Sequence, residues 1–480
     1  MEKHDSSDRL LSNINVKCLT LRSQIWKEKK KLWVVAGPAI FNRFSTFGVS
    51  IISMAFMGHI GAIELAGYSL AFTVTVRFSC GVLLGMASAL ETLCGQSYGA
   101  GQYHMLGIYL QRSWLVLIPF IILLLPFYIL TTPILTFLGQ DKAVANAAGV
   151  MSLWFIPTIG SYAMSYTLQM YLQSQSKNNV ITYWAAATLL IHFFLCWLLV
   201  MRFHYGATGV MLSTVVALWI PVFGQLFFVF CGGCPEMWKG FDIAAFYDLW
   251  PVVKLSTSSG FMVWLEVCYN TILVLLTGHM TDAEVAIDAL SICVNIGGWE
   301  LMVAFGLMAA IGVRVANELG AGNAKAAKFS ICVVLTTSFT IGTVFFFVFL
   351  LLRGNIAYLF TRDQRVATTV ADLSPLLAFN ILLNALQPIF SGAGWQRVVA
   401  YVNLGCYYLI GIPLGIVLVY ELHLGVKGVW MGMIIGVTAQ TFLLICITWK
   451  TNWESQVVIA QARVRKWFLP THPIQEDDSV

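Results

Sequence analysis

A few polar side chains lie inside otherwise apolar stretches of this sequence, and their types suggest proton and ligand chemistry. Glu266 falls mid-way through the apolar stretch 251–277, in Trp264-Leu-Glu-Val-Cys-Tyr-Asn270, with Tyr269 and Asn270 one helical turn further along the same face. An ionisable group at the centre of a membrane helix costs about 2.5–3.5 kcal/mol on insertion scales. Burial disfavours the charged form of a carboxyl, so such a group can bind a proton on an acidic side and release it on the other. Glu300 lies in Asn295-Ile-Gly-Gly-Trp-Glu300, where two glycines let another backbone or a ligand approach closely. A packed, paired carboxyl fits Glu300 equally well. Asn380, Asn384, Gln387 and Ser391 recur at i, i+4, i+7 and i+11, which places them on one helix face, lining a cleft or joining helices. Arg77, in the middle of another apolar stretch, either meets substrate or pairs with a carboxylate, and pairing is the simpler reading. Glu91 is too far from Arg77 to be that carboxylate, about 21 Å along a helix, and belongs to the turn that follows. His192 reads as a core histidine, and the eight histidines are too scattered for a metal or hydrolytic centre, so no metal or cofactor is expected.

The elements that must position these groups are membrane helices. The chain has 480 residues, 58% hydrophobic and only 11% charged, with a mean hydropathy of +0.78, which excludes a soluble enzyme. Its apolar residues fall in twelve stretches, each close to the ~20 residues that span a bilayer. They cover 33–58, 65–94, 105–132, 144–170, 180–201, 208–231, 251–277, 285–313, 327–352, 366–392, 398–420 and 426–449. The expected fold is an all-α polytopic membrane protein with a tail (1–32), a six-helix lobe (33–231), a hydrophilic linker (232–250), a second six-helix lobe (251–449) and a tail (450–480). Residues 1–31 are polar and basic, so the first stretch reads as a retained span rather than a signal peptide. Nineteen of the 28 Lys and Arg residues fall on the side of the termini, six on the other side and three inside spans. The positive-inside rule then places both tails in the cytosol. The net charge of +5 is thus a topology signal and not a sign of nucleic-acid binding. The 11 cysteines mostly sit in apolar stretches and read as packing residues; Cys231-Gly-Gly-Cys234 has no second pair to complete a site.

The chain also repeats itself. An offset of 220 lays Gly58-His59 on Gly278-His279 and Glu64 on Glu284, and an offset of 221 lays Gly99-Ala100-Gly101 on Gly320-Ala321-Gly322. Near 218–219, Pro157 meets Pro375, Gln169 meets Gln387, and Gly206 and Gly209 meet Gly425 and Gly428. Halves related by six spans have parallel topology and a pseudo-twofold axis along the membrane normal, with a cleft between two bundles. That architecture suits alternating access. An ATP-driven pump needs a GxxxxGK[ST] loop, which is absent from the sequence. An uncoupled organic-anion channel or uniporter remains an alternative, as does a membrane-embedded enzyme, although no convergent cluster of reactive side chains supports the latter.

Met57-Gly-His-Ile-Gly61, the run from Ala87 through Glu91-Thr-Leu-Cys-Gly-Gln-Ser-Tyr-Gly-Ala-Gly101, Val313-Arg-Val-Ala-Asn-Glu-Leu-Gly-Ala-Gly322 and Gly394-Trp-Gln396 resemble the multidrug and toxic compound extrusion (MATE) transporters, specifically the plant DETOXIFICATION branch. The resemblance spans all twelve stretches. It implies a monomeric, proton-coupled antiporter carrying organic cations, xenobiotics or secondary metabolites such as flavonoids out of the cytosol, across the vacuolar or plasma membrane. It also implies that Glu266 is the seventh-helix glutamate of the family. Many relatives have an acid where Asn384 stands, and bacterial ones an aspartate where Ser53 stands. An amide cannot take up and release a proton, so the resemblance leaves coupling mainly to Glu266 and to the second lobe. The stretch from Ser391 to Gln396 is about four residues shorter than in relatives, roughly 6 Å of helix.

Overall fold

Apolar stretches of this length satisfy their backbone polar groups internally by forming helices, since a bilayer offers none of the partners that water does. The computed structural model describes residues 2–277, 283–361, 363–392 and 396–466. Its first lobe contains α1 (Glu2–Ile60), α2 (Ala62–Gly99), α3 (His104–Ile129), α4 (Lys142–Ser174), α5 (Asn178–Arg202) and α6 (Gly206–Phe228). The second contains α7 (Trp250–Thr277), α8 (Ala283–Gly320), α9 (Ala324–Leu352), α10 (Gln364–Asn384), α11 (Val398–Tyr420) and α12 (Gly425–Lys450), followed by α13 (Trp453–Lys466). Eleven helices among the described residues are long and apolar enough to cross a membrane, and α7 occupies the remaining stretch read from the sequence.

The repeat is visible in the turns. After α2, Ala100 N, Gly101 N and Gln102 N donate to the carbonyls of Gln96, Tyr98 and Ser97, and after α8 the same three bonds run from Ala321, Gly322 and Asn323 to Asn317, Leu319 and Glu318. Gly101 and Gly322 take φ of +75° and +81°, a left-handed conformation that glycine adopts without a Cβ penalty. Gly278-His279, part of the sequence repeat, lies outside the described residues.

Three features differ from the sequence expectations. The stretch 366–392 is not one helix: α10 stops at Asn384, and a short helix, Gln387–Gly392, follows. Pro388 has no N–H to return to the carbonyl of Asn384, and the hydroxyl of Ser338 on α9 takes up the Ala385 carbonyl at the break. The linker 232–250 is not simply hydrophilic. It is strapped to α3, where Gln111 donates to Gly240 O (3.0 Å) and accepts from Asp242 N (3.0 Å), and where Arg112 donates to Ala244 O (2.9 Å). That strap leaves Phe241, Ile243, Phe246 and Tyr247 exposed. The first tail does not stop at a boundary with the membrane, because α1 is continuous from Glu2 through Pro38 to Ile60. The Val34 carbonyl that Pro38 frees accepts from Asn178 Nδ2 at 3.1 Å.

Candidate functional site

The lobes meet along the face of the molecule that carries α13 and the Glu28 end of α1. There α2 crosses α8 at backbone distance: a Cβ on Gly99 would run into the carbonyl of Asn317, and one on Gly320 into the carbonyl of Gln96. Gly99 and Gly320 are repeat mates, as are Gln96 and Asn317, so the pseudo-twofold axis passes through this crossing. Gly95 rests on Ala316, Gly85 on Ser259 and Gly260 of α7, and Gly306 on Ile40 of α1. A buried ion pair ties α1 to α8 at the same end. Arg314 donates to both oxygens of Glu28 at 2.9 and 3.2 Å and to Glu318 at 2.6 Å, while Ser330 of α9 donates to Glu28 at 2.7 Å. Helix α13 lies over the seam, with Trp453, Val457 and Ala460 in the same core as Leu32, Val35 and Leu307, and with Arg463 donating to Gln96 at 3.1 Å.

Each lobe also places a glutamine, Gln169 of α4 or Gln387 of the short helix after α10, against a polar residue of its first helix. In the second lobe Gln387 Nε2 donates to Glu266 Oε1 at 3.4 Å. In the first, Asn42 Nδ2 donates to Gln169 Oε1 at 2.9 Å, and Gln169 Nε2 donates to Ser165 at 2.7 Å. The two glutamines are the mates found by the sequence repeat, but Asn42 and Ser165 were not singled out there. They line a small cavity of about 30 Å³ with Ser45, Thr46, Ser161 and Tyr166, and Arg43 lies 5.7 Å from the centre of the Tyr166 ring. The signal available in the sequence was the match of Gln169 to Gln387, which points to a polar contact in both lobes.

The other candidates are dispersed. Tyr269 is buried, stacked on Tyr407 with ring centres 4.3 Å apart, and its hydroxyl, lying against Gly411 and Gly436, has no hydrogen-bond partner among the described residues. Tyr407 in turn donates to Gln440 at 2.6 Å, and Gln440 donates to Asn403. Glu300 is 4% exposed and its Oε2 has no partner among the described residues. The glycines beside it do not serve close helix packing as expected: Gly298 has nothing within 4 Å of its Cβ direction and Gly297 only Leu377 at 4.0 Å. Trp299 projects instead onto Phe47 and Phe44 of α1, with ring centres 5.3 and 6.1 Å away. Asn295 is exposed on α8. Asn380 is buried, its Oδ1 without a partner among the described residues, and Asn384 is half-buried at the end of α10, so the expected polar stripe is interrupted before Gln387. Arg77 is exposed, next to the π-helical turn Phe72–Val76, and the pairing with a carboxylate expected for it is not formed among the described residues. The side chains of Asn270 and Ser391, and the Gly394-Trp395 part of the last motif, lie outside the described residues. His192 is a core histidine, bonded to Ser53 at 3.0 Å within a fully buried cluster that includes Thr214.

Two polar pairs set between the helices of duplicated bundles, whose α2 and α8 cross closely at one face, fit a transporter. Residues 38–198 and 259–417 separately match the MatE family, one match in each lobe. The chain belongs to the MatE family. It is a MATE transporter of the DETOXIFICATION type and not an enzyme. Protein DETOXIFICATION 21 of Arabidopsis thaliana is 58% identical over 456 residues, 94% of this chain and 92% of that protein. Protein DETOXIFICATION 23 of Arabidopsis thaliana is 57% identical over 459 residues, 95% and 93% of the two chains. Among solved structures, that of the eukaryotic MATE transporter AtDTX14 superposes with a TM-score of 0.86 at 32% identity, covering 92% of this chain and 99% of that one. As a MATE transporter the chain works in a lipid bilayer on small molecules, which accounts for polar pairs placed between helices rather than on the surface.

Proposed function

We propose that this MATE transporter exchanges protons for small organic molecules, either secondary metabolites such as flavonoids or organic cations and xenobiotics, and exports them from the cytosol. The observation that carries this reading is the asymmetry of the two matched pairs. The first lobe joins a glutamine to an amide, Asn42, whereas the second joins a glutamine to a carboxyl, Glu266. Only the second pair can gain and lose a proton, so coupling is assigned to Glu266, with Gln387 as its positioning partner and Glu300 and Asn380 as further polar groups of that lobe. Proton binding at Glu266 from the side opposite the termini repacks the second lobe and weakens the hold on substrate.

The excess of basic residues on the side of the termini supports a cytosolic location for both tails. The face where the lobes meet is then the cytosolic one, in a vacuolar or a plasma membrane. One pH unit supplies about 1.36 kcal/mol per proton, and 100 mV supplies about 2.3 kcal/mol per charge. Together they sustain roughly a 500-fold gradient of an uncharged substrate for a one-proton exchange, and about tenfold of a monovalent cation, whose exchange for a proton moves no net charge. The transporter acts as a monomer, since each chain holds both lobes and the cleft between them. The test is uptake into proteoliposomes driven by an imposed pH gradient. Glu266→Gln abolishes the response to the gradient; unchanged uptake by that variant would sink the assignment.

A further inference from the structure

Glu91 is a carboxyl that the coupling scheme does not use. The sequence assigns it to the turn after α2, yet the structure places it inside the seam between the lobes. It is 7% exposed, and its Oε1 is sealed from solvent with no hydrogen-bond partner among the described residues. The carboxyl lies directly against Gly312 of α8, at a point where any side chain would displace it. Glu91 thus belongs to the first lobe, and the wall that encloses it belongs to the second.

Other ionisable groups on the elements packed against α2 are engaged elsewhere. On α8, Arg314 is held by Glu28 and Glu318. On α13, Arg463 is bonded to Gln96. On α3, Arg112 turns to the Ala244 carbonyl. On α7, Ser259 and Gly260 adjoin Gly85 and Met86, one to two turns away. On α4, Tyr166 lies beneath Arg43, and Arg43 of α1 is the cation whose field reaches Glu91, without a hydrogen bond to it. An ionised carboxylate left buried without a hydrogen-bonded partner is strongly disfavoured. With Oε1 sealed and unpartnered, burial in the sealed conformation favours the neutral acid. When the lobes part at this face, Gly312 withdraws and water reaches the carboxyl.

We propose that Glu91 is a second proton-binding site, which takes up a proton as the terminus-side seam closes and gives it up to that side as the seam opens. The proton passes between solvent and the carboxylate, and no other bond changes. Closure binds a proton, so lowering the pH favours the sealed conformation. One proton changes the ratio of sealed to open forms by at most about tenfold per pH unit. The proposal rests on the alternating-access reading but not on the role of Glu266.

The test places spin labels on cysteines introduced at Ala100 and Lys325, two exposed positions on opposite lobes of this face. The full chain is reconstituted in lipid nanodiscs, with the exposed Cys231 and Cys332 replaced by serine. Distance distributions are recorded between mildly alkaline and mildly acidic pH. The short-distance population grows on acidification in the parent, while Glu91→Gln, which carries a permanent neutral mimic of the acid, stays sealed at every pH. Glu91→Asp retains a response with a displaced midpoint. Glu266→Gln retains the seam response, so loss of driven transport in that variant and a failure at Glu91 are read separately. A parent whose distances do not respond to pH overturns the proposal, and so does a Glu91→Gln variant that follows the parent's profile. If Glu91→Gln is not monodisperse, the parent and Glu91→Asp profiles decide it: an Asp profile superimposable on the parent counts against the site.

Discussion

Substituting Gly320 by alanine tests the close crossing on which the sealed conformation depends. The new Cβ would stand 2.7 Å from the backbone carbonyl carbon of Gln96 and nearer still to its oxygen. Carbon atoms in favourable contact lie about 3.5–4.0 Å apart, so the helices must separate by roughly 1 Å. The obstacle is backbone, and no rotamer change relieves it. Overpacking of this kind costs about 1–3 kcal/mol. If that cost falls on the sealed form alone, the ratio of sealed to open forms drops roughly five- to 150-fold. Gly99→Ala should act alike, because its Cβ would meet the repeat-related carbonyl of Asn317, with the carbonyl carbon again at 2.7 Å. The readout is the rate at which a cysteine replacing Ala316, 5% exposed where Gly95 of α2 rests on it in the seam, reacts with a membrane-impermeant maleimide added on the side of the termini. Both alanine variants should label faster than the parent. Gly37→Ala, with nothing within 4 Å of the added carbon, should not. Parental labelling rates together with an unchanged melting temperature in both Gly99→Ala and Gly320→Ala would refute the crossing.

Two further predictions concern stability and gating. Arg314→Ala leaves Glu28 with only Lys31, 3.9 Å away, as its cation; removing one partner of a buried pair costs about 3–5 kcal/mol, and the lower end applies because Lys31 remains and each side chain keeps about a tenth of its surface exposed. Faster labelling at Ala316→Cys and a lower melting temperature are expected, and parental values for both would count against the pair as a tie between the lobes. The stacked tyrosines of the second lobe should respond in opposite ways to loss of a hydroxyl. Tyr269→Phe removes a buried, unpartnered group and should leave the melting temperature unchanged or raise it, whereas Tyr407→Phe strands Gln440 and should cost about 1–3 kcal/mol. Equal losses in thermal unfolding would contradict that difference.

Much of the scaffold was legible because membrane helices obey local rules. Hydropathy placed the ends of α4 and α5 within a few residues, and the basic residues assigned a side. The break after Asn384 was also readable from Pro388, although the polar stripe drew attention past it. Gln169 and Gln387 illustrate a middle case: the repeat identified them as equivalent, but nothing local named Asn42 or Glu266 as what each one meets. Glu91 and Gly312 show what was hidden. Glu91 lies in a family-like motif and Gly312 immediately precedes another, and the contact between them depends on how two lobes close.

The sequence by itself determined that this protein lives in a bilayer, that its two halves are copies with parallel topology, and that few ionisable groups lie at membrane depth. Those properties follow from composition and from periodicity along one helix, where neighbours are three or four residues apart. Only the tertiary structure decided which polar groups meet. Asn42 and Gln169 are 127 residues apart in the chain, Glu266 and Gln387 are 121, and Glu28 and Arg314 are 286. Such pairings arise from helix rotation and from the crossing of α2 over α8, which depend on packing against every neighbouring helix at once.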